Sequence, residues 1–343
     1  MKTSLLMAVL SGCVLCTACG LDAEPSAAVA VQTQPTDVQD QPVDVQKQPI
    51  KANLSCIAGN NTTPMPATAT EYAALCKSHG LGVVPTVDCG AGVRVPIKVD
   101  GVEVFETPKT CDQGSRLKPG CHVGSSIRRV QGKDDSGKPL PDVVWVYFCR
   151  ATSSQAKYAS TQIIGYHEKT GATCFFEANE KNFNQTKWQV FKDNKLSGKF
   201  PGPKDADFNE AFVPPPKGVQ CVGCHQNNPF IRNPWLDGAT MPDNPKEPVL
   251  PTLDASSPYY VVGAPDWDMR TIHIEGNSCL GCHRIGMEID QIFASNGLDA
   301  NKHMPPYAPG TLAKSYQELL DCWKAGPENT PGCSWIIPPG GDC

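Results

Sequence analysis

The sequence carries no excess of positive charge, and beyond its first twenty residues it has no apolar run long enough to cross a membrane. A net charge of −5 excludes the basic field that binding to nucleic acids or to anionic lipid surfaces requires. Long regular elements are also few, because 30 glycines and 32 prolines indicate many turns and long loops. The folded part of the chain is therefore expected to be rich in loops.

Histidine is scarce, yet two of the seven histidines end the same five-residue pattern. The two occurrences are Cys221-Val222-Gly223-Cys224-His225 and Cys279-Leu280-Gly281-Cys282-His283. Two thiols at this spacing can add to the two vinyl groups of a porphyrin, and the adjacent imidazole can then ligate the iron. The alternatives are chance matches in a disulfide-rich chain, or a zinc site of four cysteines, although such sites need no histidine after each second cysteine.

These two motifs resemble the haem-attachment sites of c-type cytochromes, and the resemblance covers about the last 130 residues. It implies two covalently bound haem c groups, with a histidine of each motif as the proximal iron ligand. The implied cofactor-binding residues are Cys221, Cys224, His225, Cys279, Cys282 and His283. The motifs are only 58 residues apart, so the two haems are expected to lie close together.

A methionine next to a proline follows each motif, as in the distal-ligand loop of class I cytochromes c. Met241 lies 16 residues after His225, and Met304 lies 21 residues after His283. The resemblance implies that these thioethers are distal iron ligands, which favour ferrous iron and raise the reduction potential. Both distances are shorter than is typical of that family. The distal ligand of one haem could therefore come from the segment that follows the other motif.

Four further side chains compete for the distal positions, namely Met269, His273, Met287 and His303. His303 precedes Met304 and could replace it, whereas Met287 lies one turn after His283 and is therefore on the proximal side. His273 could ligate the first haem and give a bis-His site of low potential. The aromatic residues expected to line the haem crevices are Phe230, Trp235, Tyr259, Tyr260 and Trp267.

The N-terminus resembles a bacterial lipoprotein signal, which we assign to residues 1–19. Lys2 precedes an apolar run that is too short to span a bilayer as a mature helix. The residues before Cys13 match a lipobox closely, whereas cleavage before Cys19 gives a signal of more usual length. An ordinary secretory signal is the alternative. We expect an exported chain in the periplasm or at the cell surface, anchored as an outer-membrane lipoprotein through Cys13 or Cys19.

Residues 20–52 are predicted to be a disordered tether rich in proline and glutamine. A seven-residue repeat in this segment carries one proline per repeat, at Pro35, Pro42 and Pro49. These prolines forbid the continuous helix that such a period otherwise favours.

The remaining chain is predicted to have an α+β fold in two domains. Residues 53–205 read as a disulfide-rich, mainly β domain, and residues 206–343 as a loop-rich, partly helical dihaem cytochrome c region. The strongest local signals are a hairpin turn at Asp100-Gly101, a second turn at Thr170-Gly171 and an amphipathic helix over residues 311–324. Alternating valine and isoleucine over residues 93–99 predict the first strand of the first hairpin, with Pro96 placing it at a sheet edge.

Ten cysteines remain once those of the leader and of the two motifs are set aside. They are Cys56, Cys76, Cys89, Cys111, Cys121, Cys149, Cys174, Cys322, Cys333 and Cys343. An even number in an oxidising compartment predicts five disulfides. Proximity along the chain favours Cys56 with Cys76, and a pair among the last three.

The leading functional hypothesis is electron transfer between redox partner proteins through two haems. One alternative is a dihaem redox enzyme resembling a peroxidase, with one open iron site. Another is a haem-based redox sensor or docking module. No catalytic residue is assigned, because the sequence shows no convincing acid–base pair near the motifs. Glu275 and Glu288 stay open as candidates. Membrane association is expected only through the lipid anchor, and no nucleic-acid partner is expected.

Overall fold

The main feature of the fold is an antiparallel sheet that receives strands from both predicted domains. The computed structural model describes residues 65–114, 120–151, 160–178, 187–214 and, with interruptions, 221–336. The predicted signal and tether lie outside the described residues, as do Cys56, Cys224, Trp267, Met269, Met287, Glu288, His303 and Cys343.

The described helices are α1 (Ala69–Cys76), α2 (Phe208–Ala211), α3 (Pro234–Asp237) and α4 (Ala313–Ala325). The strands are β1 (Val93–Arg94), β2 (Ile97–Val99), β3 (Val102–Val104), β4 (Ser126–Lys133), β5 (Pro139–Arg150), β6 (Ser160–His167), β7 (Ala172–Ala178), β8 (Val190–Lys192), β9 (Lys195–Ser197), β10 (Phe212–Val213), β11 (Thr240–Met241), β12 (Asn244–Pro248), β13 (Tyr260–Val261), β14 (Thr271–Ile274) and β15 (Cys333–Ile336). Mixed α+β architecture follows directly from these elements.

Seven strands form the main sheet in the order β1-β4-β5-β6-β7-β10, and β13 also pairs with β7. Strands β10 and β13 lie at opposite ends of the same edge of β7, one antiparallel and one parallel to it. Both follow residue 205, so segments on either side of the predicted domain boundary share one sheet. The chain from Ile50 to Cys343 accordingly forms one compact unit.

One face of the sheet packs against α1 and α2. Trp145 and Phe176 point to this side, and Tyr72 of α1 lies with its ring centroid 5.0 Å from that of Phe176. The indole of Trp145 donates a hydrogen bond to the carbonyl of Leu81 at 3.0 Å, so this buried polar atom is satisfied.

The opposite face of the sheet packs against the chain around the first motif. Phe148 lies edge-on to Trp235 of α3 at 5.5 Å, and Tyr166 lies edge-on to Phe230 at 6.0 Å. Strand alternation produces this face, because residues two apart in β5 and β6 point to the same side. The main sheet therefore forms the surface against which the described chain around the first motif packs.

Both predicted hairpin turns are confirmed. Asp100 and Gly101 have φ values of 51° and 78° between β2 and β3, the left-handed pair that a type I′ turn needs. Gly171 closes the turn between β6 and β7.

The predicted single strand over residues 93–99 is wrong in one respect. Val93–Arg94 pairs with β4 in the main sheet, and the chain leaves that sheet before β2 begins. Pro96 lies in the break, since it has no N–H to donate to a ladder.

The C-terminal helix is confirmed as α4, which ends at Gly326 with a φ of 79°. Leu319 and Cys322 of this helix are buried against β14 and β15. Within the described part of the chain, no helix combines the length and the apolar character that a membrane span requires.

The described part of the chain contains four disulfides, Cys76–Cys174, Cys89–Cys149, Cys111–Cys121 and Cys322–Cys333. The prediction of five also involves Cys56 and Cys343, which lie outside the described residues. The pair expected among the last three cysteines is confirmed. The expected pairing of Cys56 with Cys76 is wrong, because Cys76 of α1 is bonded to Cys174 of β7. Proximity in sequence failed here because α1 packs on a strand that lies 98 residues further along the chain.

Removing the longest-range disulfide should cost the most stability. A disulfide stabilises by restricting the unfolded chain, and this effect grows with the loop that it closes. Cys76→Ala with Cys174→Ala, which opens a loop of 98 residues, should lower the free energy of unfolding by about 4–5 kcal/mol. Cys111→Ala with Cys121→Ala opens a loop of only 10 residues and should cost about 2–3 kcal/mol. Urea unfolding of both variants measures the difference, and the reverse order contradicts it.

Candidate functional site

The two ends of the first motif are joined by a backbone hydrogen bond. The backbone N–H of His225 donates to the carbonyl of Cys221 at 2.7 Å, an i to i−4 hydrogen bond. This bond brings the first thiol and the histidine of the motif one above the other on the same side of the turn. Residues 222–224 lie outside the described residues.

The second motif has the same local hydrogen bond. The N–H of His283 donates to the carbonyl of Cys279 at 3.0 Å, following a 3₁₀ turn over Ser278–Gly281. The side-chain oxygen of Asn277 caps this turn by accepting from the N–H of Cys279 at 3.0 Å. Two segments with different flanking sequences therefore share one backbone hydrogen bond, from their histidine to their first cysteine.

The motif cysteines differ from all the others that the structure describes. Cys221, Cys279 and Cys282 are not disulfide-bonded, whereas the eight described cysteines outside the motifs are all in disulfides. Burial raises the pKa of the Cys279 thiol, and the nearby Glu318 carboxylate adds to this effect. A raised pKa does not favour a reactive thiolate, so it argues against redox or nucleophilic chemistry of that thiol on its own.

The His225 ring is held by its backbone and by an aromatic side chain. Its Nδ1 lies 3.2 Å from the carbonyl of Asn228, and because a carbonyl only accepts, Nδ1 carries the proton. The Phe175 ring of β7 packs against the imidazole, with centroids 5.0 Å apart. Burial lowers the pKa of His225 to about 4, so the ring is neutral at pH 7. Nε2 therefore keeps its lone pair, which is the form of imidazole that binds a metal.

The backbone of His225 has a partner of its own. The hydroxyl of Tyr259 donates a hydrogen bond to the His225 carbonyl. Tyr259 is fully buried and forms a small apolar cluster with Phe175 and Val261, against which Cys221 packs. The first motif is thus fixed at its thiol, its imidazole and its carbonyl by residues of β7 and of the segment that leads into β13.

The second motif lies between α4 and a small cavity. Asn277 donates to the carbonyl of Ser315 at 2.8 Å and to the carboxylate of Glu318 at 3.0 Å, which ties the motif to α4. The cavity has a volume of about 220 Å³. Its lining includes Thr271, His273, Leu280, His283, Arg284 and Ile336. This volume is below the ~300–1,000 Å³ of a typical ligand site, so a porphyrin attached here would be partly exposed.

His283 is half-buried at this cavity. Burial lowers the pKa of its imidazole, so the neutral, metal-binding form is favoured here as at His225. The charge of Asp237 opposes this shift, which shows that α3 lies near the second motif.

Hydrogen bonds connect the two motifs directly. The side-chain amide of Asn227, two residues after His225, donates to the hydroxyl of Thr271 at 2.7 Å, and both residues are buried. Thr271 begins β14, and the next residue, Ile272, donates its N–H to the carbonyl of Ile285 at 2.8 Å. Since Ile285 lies two residues after His283, the two motifs belong to one packed assembly.

The structure describes three of the candidate distal ligands, Met241, His273 and Met304. Met241 lies against the apolar cluster of Trp235 and Phe148, where it acts as a packing residue. Met304 is half-buried. His273 lies on β14, and the Ile272–Ile285 pairing places it on a strand beside the chain that carries His283. The hypothesis that His273 ligates the first haem stays a prediction.

The described aromatic residues that were expected at the haem crevices lie in three different places. Tyr259 lies at the first motif, as described above, whereas Phe230 and Trp235 pack against the sheet. The hydroxyl of Tyr260 lies 3.0 Å from Nδ1 of His79, at the other side of β7. Sequence reasoning missed Phe175, because a phenylalanine in a buried strand has no signal that distinguishes it from an ordinary core residue. It also missed Asn277, although an asparagine before Ser-Cys fits a cap.

Comparison with protein-family models, with curated proteins and with solved structures finds no match for this chain. Among the residues that the structure describes, no three histidine, cysteine, aspartate or glutamate side chains form a cluster that could hold a metal ion.

The cap of the second motif should be important for stability. Asn277→Ala removes the acceptor for the Cys279 N–H and the amide that donates to Ser315 and Glu318 of α4. We expect a loss of about 1–3 kcal/mol in the free energy of unfolding. Asn329→Ala is the control, because its amide donates a single hydrogen bond, to Ala325, at an exposed position. Equal losses in the two variants, measured by urea unfolding, would contradict the role given to Asn277.

Proposed function

We propose that this chain is an exported dihaem c-type cytochrome that carries out electron transfer. The observation that carries the proposal is that, in both C-x-x-C-H motifs, the histidine N–H donates to the carbonyl of the first cysteine, while the described motif cysteines stay outside the disulfides that take up the other described cysteines. Two motifs that share both a sequence pattern and a backbone hydrogen bond support a common role more strongly than the sequence match alone. Haem c, when bound, supplies one-electron chemistry at its iron.

The residues of the first motif fit a haem. Cys221 and Cys224 would form the thioethers, and His225 would ligate the iron through Nε2. The carbonyl of Asn228 holds Nδ1–H and so fixes the tautomer and the tilt of the ring. Phe175 limits rotation of the ring by packing against it. These contacts hold the ligand in place before and after a change of iron charge, which suits electron transfer.

The residues of the second motif fit the same role. Cys279 and Cys282 would form the thioethers and His283 would ligate the iron. Asn277 and α4 hold the turn from one side, and Leu280 packs with the apolar cluster around Leu319. We propose Met304 as the distal iron ligand of the second haem and Met241 as that of the first. Met241 packs against the cluster of Trp235 and Phe148, so its side chain would have to move to reach an iron.

Export and anchoring belong to the same proposal. Four disulfides need an oxidising compartment, and haem c is attached outside the cytoplasm, so both features support a secreted chain. We propose a periplasmic or surface location as an outer-membrane lipoprotein, with lipid on Cys13 or Cys19 and redox proteins as partners.

Intact mass spectrometry tests haem attachment. Protein matured with the cytochrome c machinery should carry two haems, and Cys224→Ala or Cys282→Ala should each prevent stable attachment of one. Cys111→Ala with Cys121→Ala is the matched control, because it removes two cysteines that lie in a disulfide and should leave both haems. An unmodified mass for correctly exported protein contradicts the proposal.

Ligation by Met304 has a spectral signature. A thioether bound to ferric haem iron gives a weak absorption band in the far red, and it raises the reduction potential. Met304→Ala should remove this band and lower the potential of one haem, as measured in a redox titration. If band and potential stay unchanged in Met304→Ala but shift in His303→Ala or His273→Ala, then a histidine is the ligand instead.

A further inference from the structure

Arg284 follows directly on His283, and only 7% of its surface is exposed. A buried guanidinium loses its hydration, so its place depends on the partners that the protein supplies. Its Nη1 donates to the carbonyl of Ser257 at 2.7 Å, and its Cζ lies 5.8 Å from the centroid of the Tyr259 ring. The second distance is within the range of a cation–π contact. Arg284 thus fastens the second motif to the segment that carries Tyr259.

Tyr259 continues this connection to the first motif. Its ring receives Arg284 on one side, and its hydroxyl donates to the carbonyl of His225. Two contacts therefore lead from the residue next to His283 to His225 itself.

We propose that Arg284 and Tyr259 are positioning residues that couple the two haem sites. This inference rests on the proposed function. Arg284 holds Tyr259 in place, and Tyr259 holds the backbone of the proximal ligand of the other haem. A change at Arg284 is therefore transmitted to the first site, although Arg284 belongs to the second motif.

The contacts from Arg284 to Tyr259 and from Tyr259 to His225 are called the Arg284–Tyr259 bridge. We expect this bridge to control the orientation of the His225 imidazole. Loss of the Tyr259 hydrogen bond frees the His225 carbonyl, so the ring attached to that residue can rotate against Phe175. The g-values of low-spin ferric haem report such a rotation, because they depend on the planes of the axial ligands. The Asn227–Thr271 hydrogen bond joins the same segments independently, so the variants are expected to keep their fold.

The test uses electron paramagnetic resonance of the full-length ferric protein after mass spectrometry has shown two haems per chain. The variants are Arg284→Gln, Tyr259→Phe and the double variant. Lys314→Gln is the control, because it removes a cation whose side chain is 90% exposed. A protein with Cys279→Ser and Cys282→Ser, which carries the first haem alone, assigns the signals.

Arg284→Gln should shift the g-values of both haems, and Tyr259→Phe should shift those of the first haem. In the Tyr259→Phe background, Arg284→Gln should no longer move the first haem, since the connection is already broken. Lys314→Gln should leave every g-value unchanged.

Two results overturn the bridge. One is a shift confined to the second haem in Arg284→Gln, and the other is a lowered unfolding midpoint with all g-values unchanged. If Arg284→Gln does not retain two haems, Tyr259→Phe decides alone, and unchanged g-values for its first haem overturn the proposal. Absence of haem from the unmutated protein is a separate result, which rejects the proposed function itself.

Discussion

The packing of the first motif against the main sheet is the interaction on which the rest of the structure depends. Phe175 of β7 supports the imidazole of His225, and Phe148 of β5 supports Trp235 a few residues further along. Between residue 213 and α4, the described elements are short helical turns, short paired strands and β13, which joins the main sheet. Such a chain cannot fix the direction of a ligand by itself, so the β domain supplies the rigid surface.

Disulfides and buried hydrogen bonds extend this support. Cys76–Cys174 holds α1 against β7, and so it stiffens the strand that carries Phe175. Cys322–Cys333 joins α4 to β15, which pairs with β14 beside the second motif. Each motif thus lies next to an element that a disulfide holds in place, β7 for the first motif and α4 for the second. Asn227, which follows the first motif, donates a hydrogen bond to Thr271 of β14, which leads into the second motif. The two motifs are therefore packed together.

Local signals predicted the local structure. The turn at Asp100-Gly101 follows from residues that tolerate a positive φ, and the end of α4 follows from Gly326. The pair Cys322–Cys333 could be expected because only 11 residues separate its members. The two motifs were evident from sequence for the same reason, since all their chemistry lies within five residues.

Features that depend on distant parts of the chain could not be predicted. Cys174 is no closer in sequence to Cys76 than many other cysteines are, and only the packing of α1 on β7 selects it. Similarly, β13 joins the sheet beside a strand 88 residues earlier, at Tyr260 and Ala172. The role of Phe175 follows from that arrangement. The sequence pattern predicted the strand that carries Phe175, but it could not predict that the Phe175 ring packs against His225.

Electron transfer and catalysis make different demands on the iron, and one spectrum separates them. An electron-transfer haem has both axial positions filled by the protein, whereas a peroxidase-like haem keeps one open. The direct measurement is the absorption spectrum of the reduced, exported protein before and after addition of carbon monoxide. The account predicts a c-type spectrum with two haems per chain that carbon monoxide leaves unchanged. A spectrum without haem absorption contradicts haem binding, and a shift with carbon monoxide contradicts electron transfer as the function of both haems.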